Sequence, residues 1–185
     1  MNDRIVFELP VTNFSEFYAF ASRILNRDIR TLRVPSTAHL MLLHLGPRGL
    51  LVREISETAS VSPEEVERGL DDLVRNLLAA PTPTAARVHA FTRLINPPRS
   101  FLVAAVMPSG VLIEARNSLW TTFYDWIEAL GVIDPRAFGR QSSAIALPPG
   151  DWFPHVTLSA EDAGKDFQPI TADFELKLGR VRLHA

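Results

Sequence analysis

The segment Phe153-Pro154-His155-Val156-Thr157-Leu158 restricts the fold of this chain more than any other stretch. Apolar and polar residues alternate along it, and a period of two is typical of a strand with one face in a core. His155 and Thr157 therefore share one face, while Val156 and Leu158 point to the other. The segment places an imidazole that exchanges protons near neutral pH beside a hydroxyl that can hold an anionic oxygen. A structural histidine gives the same pattern, so a functional interpretation needs a partner elsewhere in the chain.

The composition is that of an ordinary globular protein. The chain has 185 residues, 46% of them hydrophobic and 22% charged, which predicts one domain over residues 1–185. It contains no cysteine, which excludes disulfides, thiolate metal sites and a cysteine nucleophile. A formal net charge of −2 gives no general attraction to nucleic acids. The amino terminus lacks the pattern of a secretory signal and no run is long enough to span a membrane, so we expect a cytoplasmic protein without a membrane partner.

The first half of the chain contains an apolar run with two histidines. Residues 4–9 predict a buried strand and residues 14–25 an amphipathic helix. Residues 38–46 fit either a strand or a short buried helix, and the flanking prolines favour a strand. On a strand, His39 and Met41 share one face and His44 lies on the opposite face.

The second half is predicted to begin with a well-capped helix. Ser62 and Glu65 have the spacing of a capping box, and the uncharged run 101–107 predicts a strand in the middle of a sheet. The predicted elements are a helix over 62–77, a hairpin of strands over 87–95 and 101–107, a helix over 113–130, a long loop over 132–151, the strand with His155 and a final strand over 172–183. Each half thus leads to a strand with a histidine, a weak repeat that would bring His39 and His155 to one cleft.

These motifs resemble those of the 2H phosphoesterase superfamily, in the branch of 2′-5′ RNA ligase-like cyclic phosphodiesterases. That family has a His-x-Thr/Ser motif on the central strand of each of two lobes. Residues 154–158 match the second motif, and His39-Leu40-Met41 matches the first in part. Met41 stands where the family has a hydroxyl, and Ala160 lies where many members have an arginine. The resemblance implies an α/β (α+β) fold, a single domain of two pseudo-symmetric lobes with central antiparallel sheets flanked by helices.

The resemblance also implies a hydrolase that needs neither a metal nor a cofactor and acts on a nucleotide or RNA-end phosphodiester, 2′,3′-cyclic or 2′-5′. His39 and His155 would exchange protons with the reacting oxygens, and Thr157 would bind the phosphate. Met41 marks the missing hydroxyl, since a thioether cannot donate a hydrogen bond. Its loss could be compensated by another substrate-binding donor, and the candidates are Arg33, Thr37 and Arg87.

Two alternatives remain open from the sequence. Residues 36–78 also resemble a winged helix-turn-helix, which would make the chain a DNA-binding regulator. The helix that would enter the major groove, residues 63–78, carries five acidic and two basic side chains, and phosphates would repel it. The other alternative is a non-catalytic member of the phosphoesterase fold that binds nucleotides or RNA. The histidines His44, His89 and His184 show no metal-ligand spacing and are interpreted as structural.

Overall fold

The computed structural model describes residues 3–28, 32, 38–96, 99–146, 150, 152–159 and 166–184. Within these ranges the chain forms seven strands and five helices in a mixed α+β fold with two antiparallel sheets. In chain order the elements are β1 (Arg4–Pro10), α1 (Phe14–Leu25), β2 (His39–Pro47), α2 (Arg48–Ala59), α3 (Pro63–Leu78), β3 (Ala85–Asn96), β4 (Arg99–Val106), α4 (Gly110–Ala129), α5 (Pro135–Gln141), β5 (His155–Ser159), β6 (Ile170–Lys177) and β7 (Arg182–Leu183).

The first sheet has the strand order β2-β1-β7, with both pairs antiparallel. Its central strand, β1, is buried from Ile5 to Leu9, as the apolar run predicts. The register between β1 and β2 is irregular, because Phe7 pairs with Leu43 whereas the next residue, Glu8, pairs with Met41. Leu42 is thus an extra residue in β2, as in a β-bulge.

The second sheet has the strand order β5-β4-β3-β6, again antiparallel throughout. β3 and β4 form the predicted hairpin, and β4 lies between two strands with residues Leu102 to Val106 buried. The expectation that this uncharged run occupies the middle of a sheet is confirmed. His155 begins β5, at the edge of the same sheet, where it pairs with Ala105.

The three amphipathic helices predicted from periodicity are present. Before α3, the Ser62 side chain accepts a hydrogen bond from the main-chain N–H of Glu65 at 3.2 Å, and Pro63 occupies the first turn. The buried stripes of these helices are apolar, for example Phe17 and Leu25 in α1. This packing covers the sheets and joins most of the buried residues into one hydrophobic cluster.

Two helices lie where the sequence predicts turns and a loop. α2 begins directly after Pro47 and buries Leu51 and Ile55, although the Gly-Pro pair at its start is typical of the end of a strand. α5 lies inside the predicted loop 132–151, and the side chain of Asp134 caps it by accepting a bond from the N–H of Ala137 at 2.8 Å. In both places a proline near the first turn favours a helix start, a signal that the loop-like composition obscured.

The predicted final strand over 172–183 is divided between the two sheets. β6 pairs with β3 in the second sheet, whereas β7 pairs with β1 in the first. Between them the N–H of Gly179 donates to the carbonyl of Pro10 at 2.8 Å, so the chain crosses from one sheet to the other there. The crossing explains why the apolar and polar alternation does not correspond to one continuous strand.

The end of β2 packs closely against the segment that follows α5. Gly46 has a φ of +79°, and a Cβ placed on it would lie 1.8 Å from the carbonyl oxygen of Ala144. Glu54 on α2 accepts hydrogen bonds from Ser142 and Ser143 in that same segment. Glycine is therefore required at position 46 for both its conformation and its lack of a side chain. None of the helices in the described ranges has the length and apolar character needed to cross a membrane.

Candidate active site

His39, the first of the two predicted catalytic histidines, begins β2 and contacts a buried carboxylate. Its Nδ1 lies 3.3 Å from Oε2 of Glu8, which is 1% exposed. The same ring lies 4.9 Å, centroid to centroid, from the ring of His184. The strand predicted for residues 38–46 is confirmed, and the histidine on it lies in a polar cluster.

Glu8 is the centre of that cluster. Its Oε1 accepts a hydrogen bond from Nε of Arg182 at 2.9 Å, and its Oε2 accepts one from Nδ1 of His184 at 2.6 Å. A buried carboxylate is costly unless such partners satisfy it. Sequence reasoning missed this residue because Glu8 lies within an apolar run, yet an acidic residue in a buried strand was itself a signal.

The clustered groups could in principle hold a divalent cation. One ligand atom from each of Glu8, His39 and His184 lies within 4.8 Å of the others. The sequence spacing predicts no metal site, because His184 is far from the other two residues along the chain. The partner on the second carboxylate oxygen, Arg182, is a cation, and a guanidinium beside a metal ion would repel it.

A cavity of about 300 Å³ lies on the same face of the first sheet. Most of the polar groups around it are basic or can become positively charged. Its lining consists of Arg4, Val6, His39, Met41, His44 and His184. Met41, the position that lacks the expected hydroxyl, therefore shares this cavity with His39, as expected, and also with Arg4, His44 and His184, which sequence reasoning did not connect with it.

The prediction that His44 faces away from His39 is wrong. Both histidines line the cavity, because the extra residue in β2, Leu42, resets the alternation between Met41 and His44. Burial lowers the pKa of His44, and the nearby positive charges of Arg4 and His184 lower it further. His44 is therefore a cavity residue, and its interpretation as a purely structural histidine is withdrawn.

His155 begins β5 as predicted, with an environment different from that of His39. Its Nδ1 lies 2.7 Å from the main-chain carbonyl of Phe153. Since a carbonyl can only accept, this contact assigns the hydrogen to Nδ1 and leaves the lone pair on Nε2. Burial lowers the pKa of the imidazole, although the bond to the carbonyl opposes this effect. The ring of Phe153 stacks on it at 5.7 Å with 22° between the planes.

Thr157 lies two residues farther along β5 and pairs with Val103 of β4. Both His155 and Thr157 are partly exposed, whereas Val156 between them is buried. The strand and its alternation are therefore as the sequence predicts. Arg33 and Thr37, two of the proposed compensating donors, lie outside the described residues, as does Ala160. The third, Arg87, is exposed on β3 and binds Asp173 through two contacts of 2.5 and 2.6 Å.

The two strands that carry His39 and His155 are neighbours. β2 is the edge strand of the first sheet, β5 is the edge strand of the second, and the two contact each other. The indole Nε1 of Trp152, just before β5, donates a hydrogen bond to the carbonyl of Met41 at 3.1 Å. The segment just before His155 therefore contacts the main chain two residues after His39.

A second cavity, of about 340 Å³, lies on the second sheet next to His155. Thr92, Leu94 and Ala105 are among the side chains that line it, together with the exposed ring of Phe153. The same ring stacks on His155, so this cavity adjoins the histidine. It is the kind of partly apolar pocket that accommodates a flat ring.

Comparisons with known proteins identify the fold. No protein-family model matches the sequence, and no curated protein matches it significantly. Among solved structures, the chain is similar to the protein TT0787 of Thermus thermophilus with a TM-score of 0.56 and 20% identity, covering 97% of this chain and 86% of that one. It is similar to LigT of Escherichia coli in the apo form with a TM-score of 0.52 and 14% identity, covering 98% and 93% of the two chains. It is also similar to a protein described as a phosphoesterase, with a TM-score of 0.52 and 14% identity over 99% and 94% of the chains. The chain therefore has the same fold as these solved proteins, and this is the α+β fold with antiparallel sheets that the resemblance of its histidine motifs implied.

Proposed function

We propose that the chain is a metal-independent phosphodiesterase that opens a 2′,3′-cyclic or 2′-5′ phosphodiester of RNA ends or nucleotides, as a single two-lobed domain. The observation that carries this proposal is the position of His39 and His155 on contacting edge strands, β2 and β5, of a phosphoesterase fold. Two histidines can divide general base and general acid catalysis between them, because imidazole titrates near neutral pH.

The two environments support different proposed roles for the histidines. Burial favours the neutral form of His155, and its lone pair lies on Nε2, so this residue suits the general base. The buried carboxylate of Glu8 lies beside His39, and a carboxylate stabilises an adjacent imidazolium, so this residue suits the general acid. The asymmetry supports one direction of proton flow.

The reaction on a 2′,3′-cyclic phosphate then balances without a further reactant. Water attacks phosphorus while Nε2 of His155 takes its proton, and His39 gives a proton to the ribose oxygen as the P–O bond breaks. The product is a phosphomonoester with a neighbouring hydroxyl. The hydroxyl of Thr157, on the same face as His155, suits a donor to a non-bridging oxygen.

The cavity beside His155 supports a nucleotide as the substrate. Phe153 is 40% exposed and stacks on His155, so an aromatic surface adjoins the proposed general base. Bases stack on such rings regardless of their identity, with about 1–3 kcal/mol for each base. We propose that the base of the substrate occupies this cavity.

A non-catalytic nucleotide-binding protein is the second candidate function. Met41 favours it, because loss of one oxyanion donor reduces turnover about a hundredfold or more in other enzymes. The DNA-binding alternative has less support. The helix pair of α2 and α3 exists, but Arg48 binds Glu67 and Asp71 instead of being available to phosphates.

The proposal is tested by hydrolysis of a nucleoside 2′,3′-cyclic phosphate by the purified chain in EDTA. We expect turnover that persists in EDTA and falls at least about a hundredfold in His155→Ala, with a gain in Met41→Thr. Asn76→Ala, a change on the exposed face of α3, is the matched control and retains turnover. Absence of turnover in both the unmodified chain and Met41→Thr, together with nucleotide binding, would favour the non-catalytic candidate.

A further inference from the structure

We propose that Arg4 and His184 hold the phosphate of the substrate beside His39, in a cavity that His44 also lines, and so replace the hydroxyl that is missing at Met41. This inference rests on the proposed function, because it assigns the anion to the same site. The ligand class is a phosphate monoester or diester anion. Neither Arg4 nor His184 was connected with function by its position in the sequence.

The cavity on the first sheet is the geometric basis of this proposal. It has about 300 Å³ of space, and Arg4, His39, His44 and His184 all line it together with Met41. The resemblance to the phosphoesterases places a phosphate-binding donor at the position of Met41. Since a thioether cannot donate, the phosphate must find its donors among the neighbouring side chains, and these are cationic or become so on protonation.

The charges around the cavity favour an anion. Among the residues that the structure describes, the lining of the cavity contains the guanidinium of Arg4 and no carboxylate. The nearby carboxylate of Glu8 is paired with Arg182. The carboxylate is buried, and its two oxygens already accept bonds from Arg182 and His184. The negative charge of Glu8 is therefore already paired and does not face an anion in the cavity unopposed.

The orientation of His184 is suited to an anion. Its Nδ1 donates to Oε2 of Glu8 at 2.6 Å, which leaves Nε2 on the opposite edge of the ring. When the ring is protonated, Nε2 becomes a charged donor while Glu8 continues to hold Nδ1. Burial lowers the pKa of His44, with further contributions from the charges of Arg4 and His184, and an anion between these groups would relieve that repulsion.

The first test measures binding of inorganic phosphate and needs no turnover. Side-chain NMR signals of the five histidines are followed during titration in EDTA at low ionic strength. We expect the signals of His39, His44 and His184 to move together and that of His89, on the second sheet, to stay in place. Arg4→Met should weaken binding about tenfold or more, whereas Arg53→Met, an exposed arginine on α2, should leave it unchanged.

Contrary results are equally specific. Phosphate affinity that is the same in Arg4→Met and in the unmodified chain would overturn the proposal. So would phosphate binding that EDTA abolishes and Zn²⁺ restores, because the anion would then be held by a metal on the cluster of Glu8, His39 and His184.

The second test is a double-mutant cycle on turnover. If Arg4 replaces the missing hydroxyl, Met41→Thr should restore more activity in the Arg4→Met background than in the unmodified chain. Equal gains in both backgrounds would overturn the proposed replacement. Phosphate binding that depends on Arg4 in a chain without hydrolysis would support this inference while the proposed function fails, so the two failures are distinguishable.

Discussion

Trp152 donates a hydrogen bond from its indole Nε1 to the main-chain carbonyl of Met41, with 3.1 Å between the two atoms. The bond connects the segment before β5 to β2, and the guanidinium of Arg116 lies 5.1 Å from the centre of the indole ring. His39 and His155 lie close along the chain to the two ends of this bond. The relative position of the two histidines thus depends on a contact that neither of them makes.

Trp152→Phe should disturb catalysis more than folding. The change keeps an aromatic ring but removes the N–H, so we expect the free energy of unfolding to fall by about 1 kcal/mol and kcat to fall several-fold. Trp120→Phe removes the same atoms from a buried indole whose N–H has no hydrogen-bond partner among the described residues, and serves as the control. Urea denaturation and hydrolysis of a cyclic nucleotide are the measurements. Equal turnover in the two variants would show that the bond does not position the site.

Glu8→Gln should destabilise the fold because it removes a buried charge with three partners. We expect the free energy of unfolding to fall by about 1–3 kcal/mol in urea denaturation. Arg182→Gln removes only one of those partners, and the amide of the new side chain can still donate to Oε1 of Glu8, so its cost should be smaller than that of Glu8→Gln. If Glu8→Gln costs no more than Arg182→Gln, the contacts of Glu8 with His39 and His184 do not contribute to the stability of the fold.

Gly46→Ala should be among the most damaging small substitutions in the chain. The positive φ alone costs about 1–2 kcal/mol, and the methyl group would lie 1.8 Å from the carbonyl oxygen of Ala144. Gly49→Ala is the matched control, because nothing lies within 4 Å of a Cβ at that helical position. It should raise stability by about 0.5–1 kcal/mol. Thermal unfolding of the two variants gives shifts of opposite sign, and a stable Gly46→Ala protein would contradict the close packing.

The stability of the fold should decrease on mild acidification. Burial lowers the pKa of both His44 and His155 in the folded chain, whereas an unfolded histidine titrates near about 6.5. Below about pH 6.5 the unfolded state therefore binds protons that the folded state does not, and the free energy of unfolding falls. Urea denaturation from about pH 7.5 to about pH 5.5 measures this slope, which His44→Gln should make shallower. A slope that His44→Gln leaves unchanged would contradict the lowered pKa of His44.

Local sequence signals predicted the parts of the fold that depend on nearby residues. The cap of Ser62 and the uncharged strand around Ala104 lie where their patterns indicate, because a helix end and a doubly covered strand are decided by a few neighbouring side chains. The position of His44 was wrong because the bulge at Leu42 is a property of strand pairing, which the alternation of one strand does not contain.

The candidate site was predicted only where a motif marks it. His39, His155 and Thr157 were found from their spacing, and their catalytic roles remain proposals. Glu8 and His184 could not be joined from the sequence, because their hydrogen bond spans 176 positions and depends on β7 pairing with β1. Contacts between distant strands follow from topology, and topology was inferred here only through resemblance.

The pairing of β7 with β1 also has a consequence for the order of events during folding. Contacts that close so long a loop form late, because their entropy cost must be met before they contribute. We therefore expect His184 to reach Glu8 only after the intervening helices and the second sheet have formed, so that the polar cluster around His39 is completed at the end of folding. A folding intermediate could thus bury most of the apolar core and still lack a working pocket, and the appearance of phosphate binding would then report completion of the native state more faithfully than the recovery of helical structure.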